Sequence, residues 1–321
     1  MAFVKKAPNR GVPEARVDGS AAVESPELRW RLKVFLAFSV VYLVWGSTYL
    51  AIRIGVATVP PLLFAGVRFL SAGLVLSIYA RLTGQKFPSD SAEWRSIFIV
   101  GLLLLVVANG LVVWGEKSVP SNQAALIAAT TALWLTGLGR LGTHGQRLGL
   151  RATWGLVFGF GGVAFLLAPR GGLALDHLLG QLAILLAALS WAGGSIYVKN
   201  KRPATPALMS AAMQSLFAGL ILCLVGLLIG EGHGWQWTPK AVVALAYLAV
   251  FGSGLAYAAY VWLLHSVSPA ALSTYAYVNP MVAVVLGWWV LDESLGPRQI
   301  TGMLIIVGAV ILVSTCKRRA A

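Results

Sequence analysis

Leu62–Leu74 (LLFAGVRFLSAGL) and Leu208–Leu220 (LMSAAMQSLFAGL) stand 146 residues apart, and their likeness decides how this 321-residue chain is read. The same spacing separates Trp45 from Trp191, Arg53 from Lys199, and Ala124-Ala125-Leu126 from Ala270-Ala271-Leu272; Gly155 and Gly161 precede Gly302 and Gly308 by 147 residues. Apolar segments match easily by chance, so the weight lies in one offset shared by four separate segments. The chain reads as two halves.

The halves are too apolar for water. Hydrophobic residues make up 58% and charged residues 11%, with a mean hydropathy of +0.78, whereas a water-facing surface carries roughly 25–35% charged residues. A bilayer-spanning helix needs about 20 predominantly apolar residues, and ten such runs fall at 33–53, 60–80, 96–115, 120–140, 151–168, 179–198, 206–229, 241–263, 269–291 and 298–316. They are continuously apolar instead of alternating, which selects helices over a barrel. Five runs per half is an odd number, so the second half enters the bilayer in the opposite sense. The expected class is therefore an all-α integral membrane protein of ten transmembrane helices, built as two inverted five-helix repeats. The expected division is a disordered cytoplasmic tail (1–30), a first repeat (31–168), a second repeat (169–316) and a basic cytoplasmic tail (317–321).

Charge gives the orientation. With the N-terminus cytoplasmic, 19 Lys and Arg fall on the inner side and 5 on the outer, leaving Arg68 within a span. The loop after the fourth run is basic (Arg140, His144, Arg147, Arg151), while its counterpart after the ninth carries Asp292 and Glu293. Both termini are thus expected in the cytoplasm of a multi-pass protein of the inner (plasma) membrane. The formal charge of +14 flanks apolar blocks and so belongs to topology, not to nucleic-acid binding. Cys223 and Cys316 are the only cysteines, too few for a disulfide framework or a thiolate metal cluster, and no metal or cofactor is expected. Gly137–Gly142 spells GxGxxG, but no strand precedes it. GxSxG, HExxH and P-loop patterns are missing from the sequence, so an enzyme is not expected and an ATP-driven pump is excluded within the chain.

Inverted repeats place a solute site near the midplane between the halves. Trp45 and Trp191 lie near the centres of the first and sixth runs, away from the interfacial belt where Trp usually sits, and their indole N–H groups need partners if buried. Tyr49, Asn109, Thr131, Trp134, Ser195, Tyr257, Tyr260, Tyr277 and Asn279, with Thr130, are the other mid-span groups able to line a cavity. Together they describe an uncharged, aromatic, hydrogen-bonding lining suited to a zwitterionic or neutral amphipathic solute; singly, each can equally be packing. Pro280 should break the ninth helix by removing an N–H.

Arg68 and Glu116 are the candidate charge partners. Arg68 lies about 12 Å from its helix end at 1.5 Å per residue, within snorkelling reach, so stapling a neighbouring helix and meeting a substrate carboxylate both stay open. Glu116 is expected at the interface, paired with Lys117 or Arg53. No acid or histidine lies mid-span, so simple proton coupling is not expected and the solute should run down its own gradient. Gly155 and Gly159, with Gly161 and Gly162, mark close helix packing, either within one chain or across a homodimer.

At Trp45-Gly46-Ser47, Arg68-Phe69-Leu70, Pro120-Ser121 with Ala124-Ala125-Leu126, Ser268–Leu272, Asn279-Pro280 and Asp292-Glu293, the chain resembles the drug/metabolite transporter superfamily, EamA type, over residues 33–316. Gly115-Glu116-Lys117 through Ser121 resembles its YedA-like permease branch. The resemblance implies a cavity between two helical bundles and export or facilitated passage of small organic metabolites, such as amino acids, by alternating access, with the lipid bilayer as the other partner. Two positions depart from the family pattern: 147 residues before Pro280 and Glu293 stand Leu133 and Gln146, so a matched pair of proline kinks is not expected. A membrane-embedded enzyme acting on lipid or isoprenoid, and a channel, are the alternatives.

Overall fold

Pro26 at the first helical position, Glu27 in the first turn and an Arg31–Glu27 ion pair of 2.8 Å one turn on start the first helix early. Residues 26–30, expected as tail, are therefore helical. The structure, a computed structural model, describes residues 26–138, 150–167, 175–201, 204–233, 235–267, 269–272, 274–293 and 296–314. The tail before Pro26, the basic loop with Gln146 and the C-terminal tail lie outside the described residues.

Every element among the described residues is helical: α1 (Pro26–Val56), α2 (Pro61–Leu82), α3 (Ser91–Val100), a π-helical stretch (Gly101–Asn109), α4 (Gly110–Gly115), α5 (Ser121–Ala128), α6 (Thr131–Leu138), α7 (Leu150–Leu167), α8 (Leu175–Lys201), α9 (Ala207–Leu228), α10 (Pro239–Tyr247), a second π-helical stretch (Leu248–Ala256), α11 (Tyr257–Ser266), α12 (Pro269–Leu272), α13 (Tyr275–Leu291) and α14 (Pro297–Ser314). Among the described residues, six continuous stretches are long and apolar enough to cross a bilayer: Glu27–Val56, Pro61–Leu82, Ser91–Gly115, Leu175–Val198, Ala207–Leu228 and Pro239–Ser266. Shorter apolar helices cover Thr153–Phe165, Val278–Leu291 and Ile300–Leu312.

Local devices recur at the sequence spacing. Pro60 and Pro206 precede α2 and α9, and Gly84 and Gly230 end them at φ of +79° and +84°, a conformation glycine adopts without a Cβ clash. The following residues act alike: Gln85 Oε1 accepts from the Met209 N–H at 3.3 Å, and Glu231 Oε2 accepts from the Leu63 N–H at 2.9 Å. Each satisfies a donor that the start of the opposite helix leaves without an intrahelical partner. Asp90 and Thr238 cap α3 and α10 through the N–H groups of Glu93 and Ala241.

α2 and α9 cross in close contact. A Cβ on Gly66 would lie 2.7 Å from the Cys223 backbone nitrogen, one on Gly219 2.5 Å from that of Leu70, and one on Gly73 2.7 Å from that of Leu216. As positions rise along α2 their partners fall along α9, so these two similar helices run antiparallel. α7 and α14 do the same, with Gly159 against Ala309 and Gly162 against Ile305.

One expectation is corrected at the broken helices, and another break falls where no proline stands. α13 continues through Pro280; the turn that precedes it lies earlier, at Thr274. Pro280 sits only five residues past the start of α13, where a single lost N–H leaves one carbonyl short. Beside it, the Asn279 amide, oriented with its nitrogen toward them, donates to the Tyr42 and Tyr275 carbonyls at 3.3 Å each. In the first half the helix breaks at Ala129–Thr130 without a proline, despite Leu133. There Thr130 and Thr131 donate their hydroxyls to the Ile127 and Ala128 carbonyls at 2.7 and 2.8 Å, and the Ala132 and Leu133 N–H groups bond three residues back, a local alternative to the helical ladder.

Candidate functional site

A cavity of about 710 Å³, counting its part open to solvent, lies among α1, α2, both π-helical stretches, α4, α5, α6, α8, α11 and α13. From α1 it takes Trp45, Thr48, Tyr49 and Ile52; from α2, Arg68 and Phe69; from the first π stretch, Leu105, Ala108 and Asn109; from the second, Gly252 and Ser253. Thr131, Ala187, Ala188, Trp191, Tyr257, Tyr275 and Asn279 complete much of the wall.

The π turns explain several of these positions. A π turn shifts the helical hydrogen-bond ladder by a residue and leaves a carbonyl available on the cavity side. Trp45 Nε1 donates to the Gly252 carbonyl at 3.2 Å, and the Asn109 amide donates to the Leu104 carbonyl at 3.0 Å. With no side chain, Gly252 lets Arg68 and Thr48 approach: a Cβ there would lie 3.3 Å from Arg68 Nη2.

The two tryptophans meet. Their rings stand edge to face at 5.3 Å, and Trp45 also contacts Tyr260 at 4.9 Å and Tyr275 at 5.6 Å. Trp191 Nε1 donates to the Tyr260 hydroxyl at 3.1 Å, and that hydroxyl lies 2.8 Å from Ser195 Oγ. Tyr260 and Ser195 therefore stand behind Trp191 as its support and are not on the cavity lining. Trp134 is also absent from the lining: it packs against Phe160 at 4.6 Å, facing α7, and its N–H has no partner. The side chain of Tyr277 lies outside the described residues. Trp45, Tyr49, Asn109, Thr131, Trp191, Tyr257 and Asn279 line one cavity. Thr48, Gly252, Ser253 and Tyr275 were missed. A signal existed for two of them, since glycines at 252 and 254 flank a serine within an apolar run.

The lining is not uncharged. Arg68, 4% exposed, reaches it, with Nε donating to Ser253 Oγ at 2.7 Å and Nη1 without a partner. Glu116, expected at the interface in an ion pair, is fully buried, and neither carboxylate oxygen has a hydrogen-bond partner. Arg53 donates to the backbone carbonyls of Glu116 and Lys117, not to the carboxylate. One residue past the apolar stretch Ser91–Gly115, the Glu116 carboxyl is driven well above the usual carboxylate range by burial, with Arg53 and Arg68 opposing and Glu293 reinforcing. Glu293 lies beyond α13 and ties the halves together, accepting from the Ser121 N–H and Oγ and from the Asn122 N–H at 2.8–3.0 Å.

Residues 32–168, and again residues 178–315, match the EamA-like transporter family. The chain belongs to the EamA-like transporter family. It is 39% identical to the inner membrane transporter YedA of Escherichia coli strain K12, over 90% of this chain and 93% of that one. It is 25% identical to the transporter YoaV of Bacillus subtilis strain 168, covering 86% and 94%, and 28% identical to protein PecM of Dickeya dadantii, covering 84% and 88%. A solved crystal structure, 21% identical, superposes with a TM-score of 0.64 over 88% of this chain and 96% of that one, which identifies a shared fold. The protein is thus a YedA-like, multi-helix membrane member of a transporter family.

Proposed function

We propose that the protein is an inner-membrane exporter or facilitator of small organic metabolites, such as amino acids or other amphipathic solutes, working by alternating access. In this reading ten spans form two inverted five-helix repeats with both termini in the cytoplasm. The carrying observation is the meeting of Trp45 and Trp191, repeat counterparts from different halves, at the wall of one cavity lined by both halves. Relative motion of the halves would part these rings and change access to the space beside them. The antiparallel crossing of α2 with α9 and of α7 with α14 supports the inverted arrangement, and the two successive family matches support the duplication.

The test is flux from proteoliposomes loaded with individual labelled amino acids. Saturable efflux that accelerates when the same solute is supplied outside is expected of alternating access. Non-saturable efflux would make the protein a channel, and no flux across the panel would remove these solutes.

A further inference from the structure

Glu116 and Arg68 are two buried charged groups that each leave polar atoms unpartnered, Arg68 on the cavity wall and Glu116 just past the helical segment that supplies Asn109 and Val112 to it. Glu116 follows the last turn of α4, one helical turn past the cavity residue Val112. The charged and titratable groups that act on it come from several elements. α1 supplies Tyr49 and Arg53, α2 supplies Arg68, and the segment after α13 supplies Glu293. Lys117 adjoins it in sequence. α8, which packs on Gly115 through Gly180 and Ile184, carries Asp176 and His177 in its first turn, and His177 Nδ1 lies 2.9 Å from the Ser118 carbonyl.

An ionised carboxylate with no donor is expensive in such a place, and a proton removes the charge. Its presence also changes the cavity. With the proton bound, the Arg68 guanidinium is an uncompensated cation with a free N–H; with the proton lost, the carboxylate offsets that charge.

We propose that Glu116 is a proton-binding site linked through Arg68 to the cavity, so that a proton and an organic anion, a carboxylate-bearing solute, bind cooperatively. The step is a simple protonation: water at one face delivers a proton to a Glu116 carboxylate oxygen, and the same O–H bond breaks on release. Linkage makes the effect reciprocal, each ligand raising the affinity of the other. The site departs from the sequence expectation of transport without protons, because Glu116, at the end of its span, is buried and without a hydrogen-bond partner instead of ion-paired. The anion's role as cargo rests on the transport reading above, whereas the proton site does not.

The experiment uses the full chain in lipid nanodiscs. Infrared difference spectra between acidic and alkaline pH should contain a protonated-carboxyl band that disappears in Glu116→Gln and, as a second variant, in Glu116→Leu. Spectra unchanged in both overturn the proton site. Arg68→Gln should move the midpoint of that band upward by about one pH unit or more, because a cation that favours the carboxylate is gone; an unmoved midpoint overturns the link. Benzoate, as an aromatic anion read by tryptophan fluorescence, should lose about tenfold in affinity across the midpoint in the unmodified chain and hold its affinity in Glu116→Gln. Absent or pH-independent benzoate binding in the unmodified chain overturns the anion coupling. Amino-acid flux failing while these titrations hold would sink the transport reading alone.

Discussion

Trp191 is fixed by a single polar contact: its N–H has the Tyr260 hydroxyl, itself beside Ser195, while its ring meets Trp45. Replacing Trp191 or Trp45 by Ala removes aromatic contacts worth about 0.5–1.5 kcal/mol each beyond area burial. The expected outcome is a two- to tenfold weaker apparent affinity for a transported solute at unchanged membrane yield, read from concentration-dependent flux. Unchanged flux in both variants would take the tryptophans out of the site. Glu293 offers a second residue-scale test. Its carboxylate satisfies two N–H groups at the start of α5, so Glu293→Ala should lower stability by about 1–2 kcal/mol, the usual scale for losing such a cap, measured by thermal unfolding in detergent.

At the scale of elements, the α2–α9 crossing depends on absent side chains. A Cβ at Gly219 would press on the Leu70 backbone and on the Gly66 carbonyl, neither of which can turn aside. Gly219→Ala is expected to destabilise by about 1–3 kcal/mol, the cost of overpacking. Gly161 in α7 is the control, since nothing lies within 4 Å of a Cβ there. Gly161→Ala should be neutral or stabilise by up to about 1 kcal/mol through helix propensity. Melting temperatures of the two variants decide this; equal effects would mean that close approach is not what holds α2 to α9. Glycine spacing in the sequence flagged packing in α7 but could not tell Gly159, pressed on Leu133, from the free Gly161. That distinction depends on which face meets a neighbour. The breaks at Ala129–Thr130 and before Tyr275 were hidden for a similar reason. Proline is a visible breaker, whereas threonine hydroxyls redirect a helix only where packing favours the turn they offer.

For the whole molecule, orientation is the property to test. In a chain with Cys223 and Cys316 replaced by Ser, single cysteines at Lys117 and Lys240 should react with an impermeant thiol reagent on intact spheroplasts, and single cysteines at Lys33 and Lys86 should not. All four lysines are exposed; labelling of the second pair, or of all four, would overturn the inverted arrangement with a cytoplasmic N-terminus. The duplication, the apolar runs and the charge bias were legible in the sequence because each is a one-dimensional property: an offset, a length, a count between runs. Membrane class and family followed from them. The cavity was only half legible. Tyr49, Asn109 and Trp191 could be named because polar or aromatic groups stand out in apolar runs, but Trp134 and Ser195 carry the same signal and face elsewhere. Only the tertiary structure decided that Trp45 meets its counterpart, that π turns aim Gly252 and Asn109 at the cavity, and that Glu116 is buried without a partner. The physical reason is that burial and pairing belong to helices brought together from opposite ends of the chain. A residue's neighbours in sequence say how a helix forms, but not what that helix will press against.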